Sequence, residues 1–572
     1  MRERLPTQFA PAVGSNGVDN ALPGILSASS LDPPAIPSAT AEIALIGYQD
    51  QGNLGMGYLS AVLQQRGHTV LMIDVRDGPE KIAERLASRQ PLLVGFSLIF
   101  QVFLPRFRRV AARLRERGVT SHFTIGGHFP SLCHDEVLKH FPELDSVVRY
   151  EGEHTIVDLV DCLLNKRDWR QTPGLAFLNN GQVAESEPRH LVQDLDSLPY
   201  PYRPFEPGQI GGFPTLPLLA SRGCARRCSF CSIHTFYRNA PGKVVRVRKP
   251  AKVVEEMQYL LEHHGVRVIL FQDDDFPLWG PAGRRWADEL VGRIYDAGLV
   301  DRLIWKISCR AEYVEYDLFR KLRDAGLFLV YMGLESGTEQ GLKVLNKEMS
   351  VEENVAAVRT LKELELNVSY GFMLFDPSST FESIRENVRF LKNITGDGRA
   401  AATFSRMLPY GGTPIRDALK KEGRLRGDLT SPDYDFLDLR LNEFYHLLTT
   451  TVRPWIHREG LTYQLDYAWD EFSTVSRLVR DLDGAEEYRS ALQSLTKESN
   501  ERLFQHVEQC LDSFEQGDRS KLVPAPARAY CEAGGKHLLA IRNNFIGRNV
   551  QLLVDAVSAD CKSGPVLIPQ IH

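Results

Sequence analysis

Short apolar runs alternate with amphipathic segments along most of the chain, and the runs fall into two series. In the first series the apolar runs begin at residues 44, 69, 92, 122 and 147, with segments of helical spacing between them. Strands that alternate with helices in this way predict a parallel, doubly wound sheet. Ligands of such sheets bind beyond the carboxyl ends of the strands. The loops that follow these runs are therefore the candidate site of the first series.

A stretch containing Pro199, Pro201, Pro204 and Pro207 separates the two series and predicts a linker. Six further apolar runs then begin at residues 216, 268, 303, 328, 368 and 403. Six strand-then-helix units predict a partial (β/α)6 barrel, whose chemistry lies at the C-terminal ends of its strands. Beyond residue 415 the pattern is amphipathic and helical, and we expect these helices to cover the barrel mouth.

These patterns predict an α/β protein of five segments. Residues 1–40 are rich in Ala, Ser, Pro and Gly and are predicted to be disordered. Residues 41–170 are predicted to form a Rossmann-like domain, 171–213 a linker and 214–414 the barrel. Residues 415–572 complete the chain as a mostly helical region.

Composition narrows the class of protein. Hydrophobic residues make up 43% and charged residues 25% of the 572 residues, and the formal net charge is −5. This balance gives no reason to expect a nucleic-acid partner. No run of about 18 apolar residues is present, so we expect no membrane-spanning segment, and no secretory signal is recognisable. We expect a cytoplasmic protein.

Three of the nine cysteines lie within eight positions, in the order Cys224, Cys228 and Cys231. A CxxxCxxC loop after an apolar strand favours metal ligation over a disulfide framework. Three thiolates can hold three corners of a [4Fe–4S] cluster and leave one iron open for chemistry. A zinc site with His234 as fourth ligand, or three buried cysteines without a metal, are the alternatives.

The cysteine loop, as CxxxCxFC with Phe230, resembles that of the radical SAM superfamily, and the resemblance covers residues 214–410. Arg310 matches the arginine at the end of the family's third strand. Further motifs that resemble the family's are Phe271–Phe276, Gly333–Gly337, Leu342–Lys347 and Pro409–Pro414. The turn Phe375–Thr380 departs from the G-x-PGET pattern of the family's fifth strand.

The resemblance implies that S-adenosyl-L-methionine (SAM) chelates the open iron and is cleaved to a 5′-deoxyadenosyl radical. The residues that it implies as contacts to this cofactor are Phe230, Asp273, Asp274, Arg310, Glu335 and Ser336. Two of these assignments have simpler alternatives, since the aspartates could cap the next helix and Arg310 could form a barrel salt bridge.

In front of such a barrel, the loops of the first domain resemble those of the cobalamin-binding subgroup of the family. The implied cobalamin contacts are Asn53, Leu54, Gly55, Met56, Ser97, Gly126, Gly127, His128, Glu151 and Gly152. The DxHxxG motif that supplies histidine to cobalt in other cobalamin folds is absent. The resemblance therefore implies a cobalt without a histidine on its lower face. Ligation by His128, or a sheet that binds nothing, are the alternatives.

A radical generator joined to a cobalamin domain suggests methylation of an unactivated carbon or phosphorus centre of a small molecule. No residue excludes a ring rearrangement or an oxidative cyclisation instead, and a cobalamin sensor with an inert barrel is a further alternative. A methylthiotransferase needs additional cluster cysteines, whereas only Cys133 and Cys162 precede the loop. The resemblance implies a low-potential electron donor such as flavodoxin or ferredoxin. No catalytic side chain can be assigned.

Overall fold

The computed structural model describes residues 40–49, 52–520 and 522–558, and these residues form two compact units. The first unit runs to Val192 and includes Ser197–Gly208, and the second contains Gln193–Asp196 and the chain from Gln209 onwards. Most of the segment predicted to be disordered, residues 1–39, lies outside the described residues.

The first unit is a seven-stranded sheet in the order β2-β1-β3-β4-β5-β6-β7. Strands β1 to β5 are parallel, as alternating strands and helices predict. The strands are β1 (Glu42–Gly47), β2 (Thr69–Asp74), β3 (Leu93–Ser97), β4 (His122–Gly126), β5 (Ser146–Val148), β6 (Leu175–Asn179) and β7 (Gln182–Glu185). The helices are α1 (Leu54–Gln65), α2 (Pro79–Ala87), α3 (Leu104–Glu116), α4 (His128–Leu132), α5 (His134–His140) and α6 (Glu153–Leu164).

The segment 171–213, predicted to be a linker, in fact extends this sheet. Strands β6 and β7 pair antiparallel with each other, and β6 pairs antiparallel with β5. The connecting residues Asn180 and Gly181 have φ of 50° and 78°, the left-handed values that suit a two-residue hairpin turn. Residues 175–185 of the predicted linker therefore belong to the sheet, and the prediction fails there because the apolar run that starts β6 is short.

The second unit contains a seven-stranded sheet in the order β16-β15-β14-β13-β12-β9-β8. Six of its strands are parallel and make up the predicted barrel series. The strands of this unit are β8 (Gly208–Ile210), β9 (Phe213–Leu218), β10 (Ser221–Arg222), β11 (Arg246–Val247), β12 (Val268–Phe271), β13 (Ile304–Cys309), β14 (Leu327–Glu335), β15 (Asn367–Phe375), β16 (Ser405–Arg406), β17 (Leu425–Gly427) and β18 (Pro432–Tyr434).

Helices follow the barrel strands, and their apolar faces pack against one side of the sheet. On β15, for example, Val368, Tyr370, Phe372 and Leu374 are buried, whereas the residues between them are partly exposed. The barrel helices are α7 (Ser232–Arg238), α8 (Pro250–His264), α9 (Gly280–Asp296), α10 (Tyr316–Asp324), α11 (Glu339–Val344), α12 (Val351–Glu363), α13 (Phe381–Thr395) and α14 (Pro414–Lys421).

Four long helices follow the barrel and share its hydrophobic core. They are α15 (Arg440–Ile456), α16 (Leu461–Leu478), α17 (Ala485–Glu515) and α18 (Ala525–Ser558). The side chain of Asn367, the first residue of β15, donates to the Trp469 carbonyl of α16 over 3.1 Å. Helix α16 thus lies at the amino ends of the strands and not at the predicted barrel mouth, because its buried face continues the barrel core.

Among the described residues, no helix is both long enough and apolar enough to cross a lipid bilayer.

Candidate functional site

The cysteine loop begins immediately after β10, which pairs with β11. Gly223 has φ of +88°, a left-handed conformation that glycine adopts at little cost. A Cβ at this position would collide with the carbonyl oxygen of Val244. Glycine in front of Cys224 therefore allows the loop to leave the strand and pass close to the neighbouring backbone.

Two aspartates after β12 hold the start of the loop. Asp273 is 4% exposed and accepts hydrogen bonds from the Ser221 hydroxyl over 2.5 Å and the Ala220 N–H over 3.2 Å. The more exposed Asp274 accepts from the Gly223 N–H over 2.8 Å. Both carboxyl groups thus position the loop backbone, and their contact with SAM stays a prediction.

The other side of the loop is held by the segment after α11. The Ser229 N–H and hydroxyl donate to the carbonyls of Leu345 (2.9 Å) and Val344 (2.8 Å). The Ser229 carbonyl accepts from the Ile415 N–H over 3.0 Å. These segments follow β14 and β16, and the anchoring aspartates follow β12, so residues from both halves of the barrel hold the loop.

The three loop thiols are free cysteines in a partly buried pocket. Burial raises the pKa of Cys224 and of Cys231 to about 12. The Arg310 guanidinium lies 3.7 Å from the Cys228 sulfur, where it favours a thiolate. Thiolates of this kind bind iron–sulfur clusters, so the donor set and the positive charge fit the implied group.

The geometry of the thiols differs from that of a single-ion site. Across the described part of the chain, no three His, Cys, Asp or Glu side chains converge on a position for one metal ion. A [4Fe–4S] cluster does not need such convergence, because each thiolate binds a different iron.

Asp275 is a polar neighbour of the cluster loop that the motif comparison did not select. It is 3% exposed, and the Cys224 thiol donates to its Oδ2 over 3.8 Å. Its Oδ1 is buried and has no hydrogen-bond partner among the described residues. Burial raises the pKa of this carboxyl to about 7 despite the positive charges of Arg310 and Lys347. In the sequence, Asp275 directly follows the two aspartates that hold the loop, and this position could have indicated that it lies near the cysteines.

The remaining predicted SAM contacts occupy different environments. Arg310 binds both carboxylate oxygens of Glu312, over 3.0 and 2.9 Å, and the Lys347 carbonyl. Glu335 has φ of +65° and lies 3.3 Å from the Lys347 ammonium. Ser336 is fully buried and bonds to neighbouring side chains, and Phe230 packs against the core. Arg310 and Glu335 thus lie near the loop, while Ser336 supports the turn after β14.

Small residues lie side by side at the carboxyl edge of the first unit. Gly47, Ser97 and Gly126 end the adjacent strands β1, β3 and β4 and pair with one another. Gly127 follows with φ of +112°, and a Cβ there would collide with the Leu98 carbonyl. An edge without bulky side chains fits a flat ring that approaches the backbone closely, as cobalamin requires.

The other predicted cobalamin contacts include several with local structural partners. The Asn53 side chain caps α1 by accepting from the Met56 N–H over 3.1 Å. Glu151 accepts from the Val192 N–H over 2.7 Å. Burial lowers the pKa of His128, the first residue of α4, to about 4, so its imidazole is neutral. Leu54 and Met56 are buried, Gly55 is exposed, and Gly152 precedes α6.

Fold and site together define an enzyme with a cobalamin-binding sheet and a radical SAM barrel. The family model of the radical SAM superfamily matches residues 218–391, and that of the B12 binding domain matches residues 46–160. The chain belongs to the cobalamin-binding radical SAM enzymes, which work with a [4Fe–4S] cluster, SAM and cobalamin. The predicted family and fold class are confirmed.

Curated relatives cover much of the chain. An uncharacterized methyltransferase of Pyrococcus horikoshii is 28% identical over 370 residues, which are 63% of this chain and 77% of the relative. An anaerobic magnesium-protoporphyrin IX monomethyl ester cyclase of Cereibacter sphaeroides is 29% identical over 64% of this chain and 60% of its own length. Relatives named as methyltransferases support the predicted cobalamin-dependent methylation.

Solved structures have the same fold. The cobalamin-dependent SAM radical enzyme OxsB with aqua-cobalamin bound is similar with a TM-score of 0.63 and 17% identity, over 93% of this chain and 82% of that one. The radical SAM methyltransferase TsrM from Kitasatospora setae is similar with a TM-score of 0.56 and 19% identity, over 66% and 78%. At these identities the likeness concerns the fold.

Proposed function

We propose that this protein methylates an unactivated carbon or phosphorus centre of a small molecule. The observation that carries the proposal is the clamped loop of Cys224, Cys228 and Cys231 in a chain that also contains a B12-binding domain. When bound, the cluster and SAM supply one-electron chemistry and cobalamin supplies a methyl group. The protein contributes position and exclusion of water.

The residues of this chain have distinct parts in the proposal. Asp273 and Asp274 hold the cluster loop through its backbone. Arg310 places a positive charge 3.7 Å from one cluster ligand. Gly126 and Gly127 leave the carboxyl edge of the first sheet free for a large planar ring.

The distribution of products tests methylation. Anaerobically reconstituted protein with cobalamin, SAM and reductant is expected to form S-adenosylhomocysteine together with 5′-deoxyadenosine once the acceptor is present. Methyl-deuterated SAM would transfer its label to the product. Formation of 5′-deoxyadenosine without any S-adenosylhomocysteine throughout the reaction would contradict the proposal.

A second candidate is oxidative cyclisation, because curated relatives from three bacteria are named as magnesium-protoporphyrin IX monomethyl ester cyclases. This reaction would leave the product without a label from methyl-deuterated SAM. The same experiment therefore separates the two reactions.

For the electron source we propose a low-potential flavodoxin or ferredoxin. Replacement of the chemical reductant by either reduced protein is expected to sustain repeated SAM cleavage. Absence of turnover with both proteins would contradict this part of the proposal.

A further inference from the structure

The inner face of the barrel is accessible, although the strands lie in the middle of the second unit. On β13, Lys306 and Ser308 are partly exposed, whereas the alternate residues Trp305 and Ile307 are fully buried. The same alternation continues at Tyr331 on β14 and along β15. Alternate residues of a strand point to opposite faces, so the partly exposed set lines an interior space.

Three ionisable side chains lie near one another at this space, which we call the lumen chamber, since Asp470 interacts electrostatically with both Lys306 and Asp466. Lys306 comes from the barrel wall, and Asp466 and Asp470 come from helix α16. The two aspartates are four residues apart and thus lie on one face of the helix. Because α16 spans the amino ends of the strands, it forms the floor of the chamber.

Each of these groups has only an uncharged hydrogen-bond partner. The Lys306 ammonium donates to the Ser308 hydroxyl over 2.7 Å. Asp470 accepts from the Asn367 amide, and Asp466 accepts from the Ala401 N–H. Among the described residues, no carboxyl group comes within the 4.0 Å of Lys306 that defines an ion pair. Hydrogen-bonding capacity is therefore left over on all three.

Ionisable groups around an interior space that keep unused hydrogen-bonding capacity point to a ligand. The Lys306 ammonium also lies 5.5 Å from the centre of the Tyr331 ring, which leaves its remaining donors open. Burial raises the pKa of Asp470 to about 7 and that of Asp466 well above its usual range. It also lowers the pKa of Lys306 to about 8, although nearby carboxylates oppose this shift. Near neutral pH the Lys306 ammonium keeps its charge, and the two carboxyl groups would become more ionised when a cation binds beside them.

We propose that the lumen chamber binds the methyl acceptor, and that this acceptor is an amine-bearing polar molecule with a hydroxyl or carbonyl oxygen. The chamber has two carboxyl groups and one ammonium, so one carboxyl group has no cation of the protein to bind, and that group suits an amine. The amine would bind at Asp466 and Asp470, and the oxygen would accept from Lys306. This inference rests on the proposed function, which it extends to a substrate class.

The chamber also sets a minimum length for the acceptor. Lys306 and Arg310 are four residues apart along β13 and its end, which corresponds to about 13 Å of extended strand. A ligand anchored at the floor must therefore extend over several bond lengths to reach the cluster end.

Binding of three small probes of matched size tests the charge preference. Ethanolamine, ethylene glycol and glycolate share a hydroxyl and differ in charge, and their affinities for the reconstituted full-length enzyme can be compared by saturation-transfer NMR titration. We expect ethanolamine to bind about tenfold more tightly than ethylene glycol, as one charge-assisted hydrogen bond allows. Glycolate as the tightest ligand, or equal or absent binding of all three, would overturn the proposal.

Substitutions in the lumen chamber test whether the preference for ethanolamine arises there. Asp470→Asn and Asp466→Asn are each expected to remove most of the preference for ethanolamine. Lys306→Met is expected to keep that preference, because ethanolamine and ethylene glycol both lose the same donor to their hydroxyl. Asp317→Asn is the matched control, since the Asp317 side chain is 86% exposed. An unchanged preference in both chamber variants, or its loss in the control, would contradict the assignment.

Iron content and SAM cleavage without acceptor are measured on every variant. A chamber variant that keeps both but loses the amine preference supports the proposal. Wild-type protein that prefers ethanolamine but never cleaves SAM would overturn the proposed function alone. SAM cleavage without any amine preference would overturn the chamber alone.

Discussion

The two ends of the barrel treat their charged groups in opposite ways. At the carboxyl end, Asp273 and Asp274 each bind the backbone of the cysteine loop, and Arg310 binds Glu312. At the amino end, Lys306 and the two aspartates of α16 have only uncharged partners. The charged groups at the carboxyl end thus use their hydrogen bonds to hold the cysteine loop, whereas those at the amino end keep donors and acceptors that a ligand can bind. The difference separates the part that positions cofactors from the part that selects a substrate.

The largest effect is expected from removal of one cluster ligand. Cys228→Ser should abolish stable cluster binding and lower the rate of SAM cleavage by a factor of 100 or more, on the order of 3 kcal/mol or above. Iron and sulfide analysis and the yield of 5′-deoxyadenosine check this. Cys162→Ser in the first unit is the control, and equal loss in both variants would contradict a specific role of the loop.

Removal of a loop anchor should have the next largest effect. Asp273→Ala leaves the buried Ala220 N–H without its acceptor and the Ser221 hydroxyl with only the Asp275 carbonyl at 3.5 Å, at a cost of about 2 kcal/mol. We expect a lower thermal midpoint and reduced iron incorporation, while Asp273→Asn retains part of both. If the alanine variant incorporated iron normally, the anchoring role would be wrong.

The floor of the barrel should give a pH-dependent effect on stability. The folded-state pKa of Asp470 is about 7, above the value of about 3.9 in an unfolded chain. The folded state therefore holds the proton more tightly, and its stability falls as pH rises from 5 towards 8. Asp470→Asn lacks this slope, so it should gain stability relative to wild type over the same interval.

Urea unfolding midpoints at pH 5 and pH 8 measure this difference. The expected relative gain is on the order of 1 kcal/mol, with the full shift as an upper limit. Asp317→Asn, on the protein surface, should keep the wild-type slope. A relative loss of stability for Asp470→Asn at pH 8 would contradict the proposed environment.

The smallest effect concerns Asp275 beside Cys224. Above its pKa of about 7 the Asp275 carboxyl is ionised, so at such a pH Asp275→Asn removes a negative charge close to the cluster and should raise the cluster reduction potential by tens of millivolts. Spectroelectrochemical titration of the reconstituted protein measures the shift, and the exposed control Asp317→Asn should give none. An unchanged or lower cluster reduction potential in Asp275→Asn would contradict an influence of the Asp275 carboxylate on the cluster.

The sequence indicated where the cysteine loop lies in the barrel, because the signals at the carboxyl end are local. Cys224, Cys228 and Cys231 lie in one loop, and the neighbouring aspartates directly follow a buried strand. Such short-range patterns predict which residues belong to the site, whereas the contacts that each residue makes follow only from the three-dimensional structure. Asp273 and Asp274, for instance, were expected to contact SAM, and in the structure they hold the loop backbone.

The amino end could not be predicted, because its residues are distant in the sequence. Lys306 and Asp470 are brought together only when α16 packs below the strands, and an amphipathic helix does not reveal which surface it will cover. The β6–β7 hairpin is different, since Asn180–Gly181 is a recognised hairpin signal and could have been used. The turn chemistry was present in the sequence, whereas the packing of α16 was not.

The position of α16 allows the proposed acceptor site to change in evolution separately from the cysteine loop. The helix that forms the floor begins more than 200 residues after the cysteine loop, and substitutions on its inward face change none of the residues that hold the loop by hydrogen bonds. Relatives could acquire new acceptors by altering this single helix. Exchange of its inward-facing residues is accordingly a compact route to redirecting the enzyme towards other molecules.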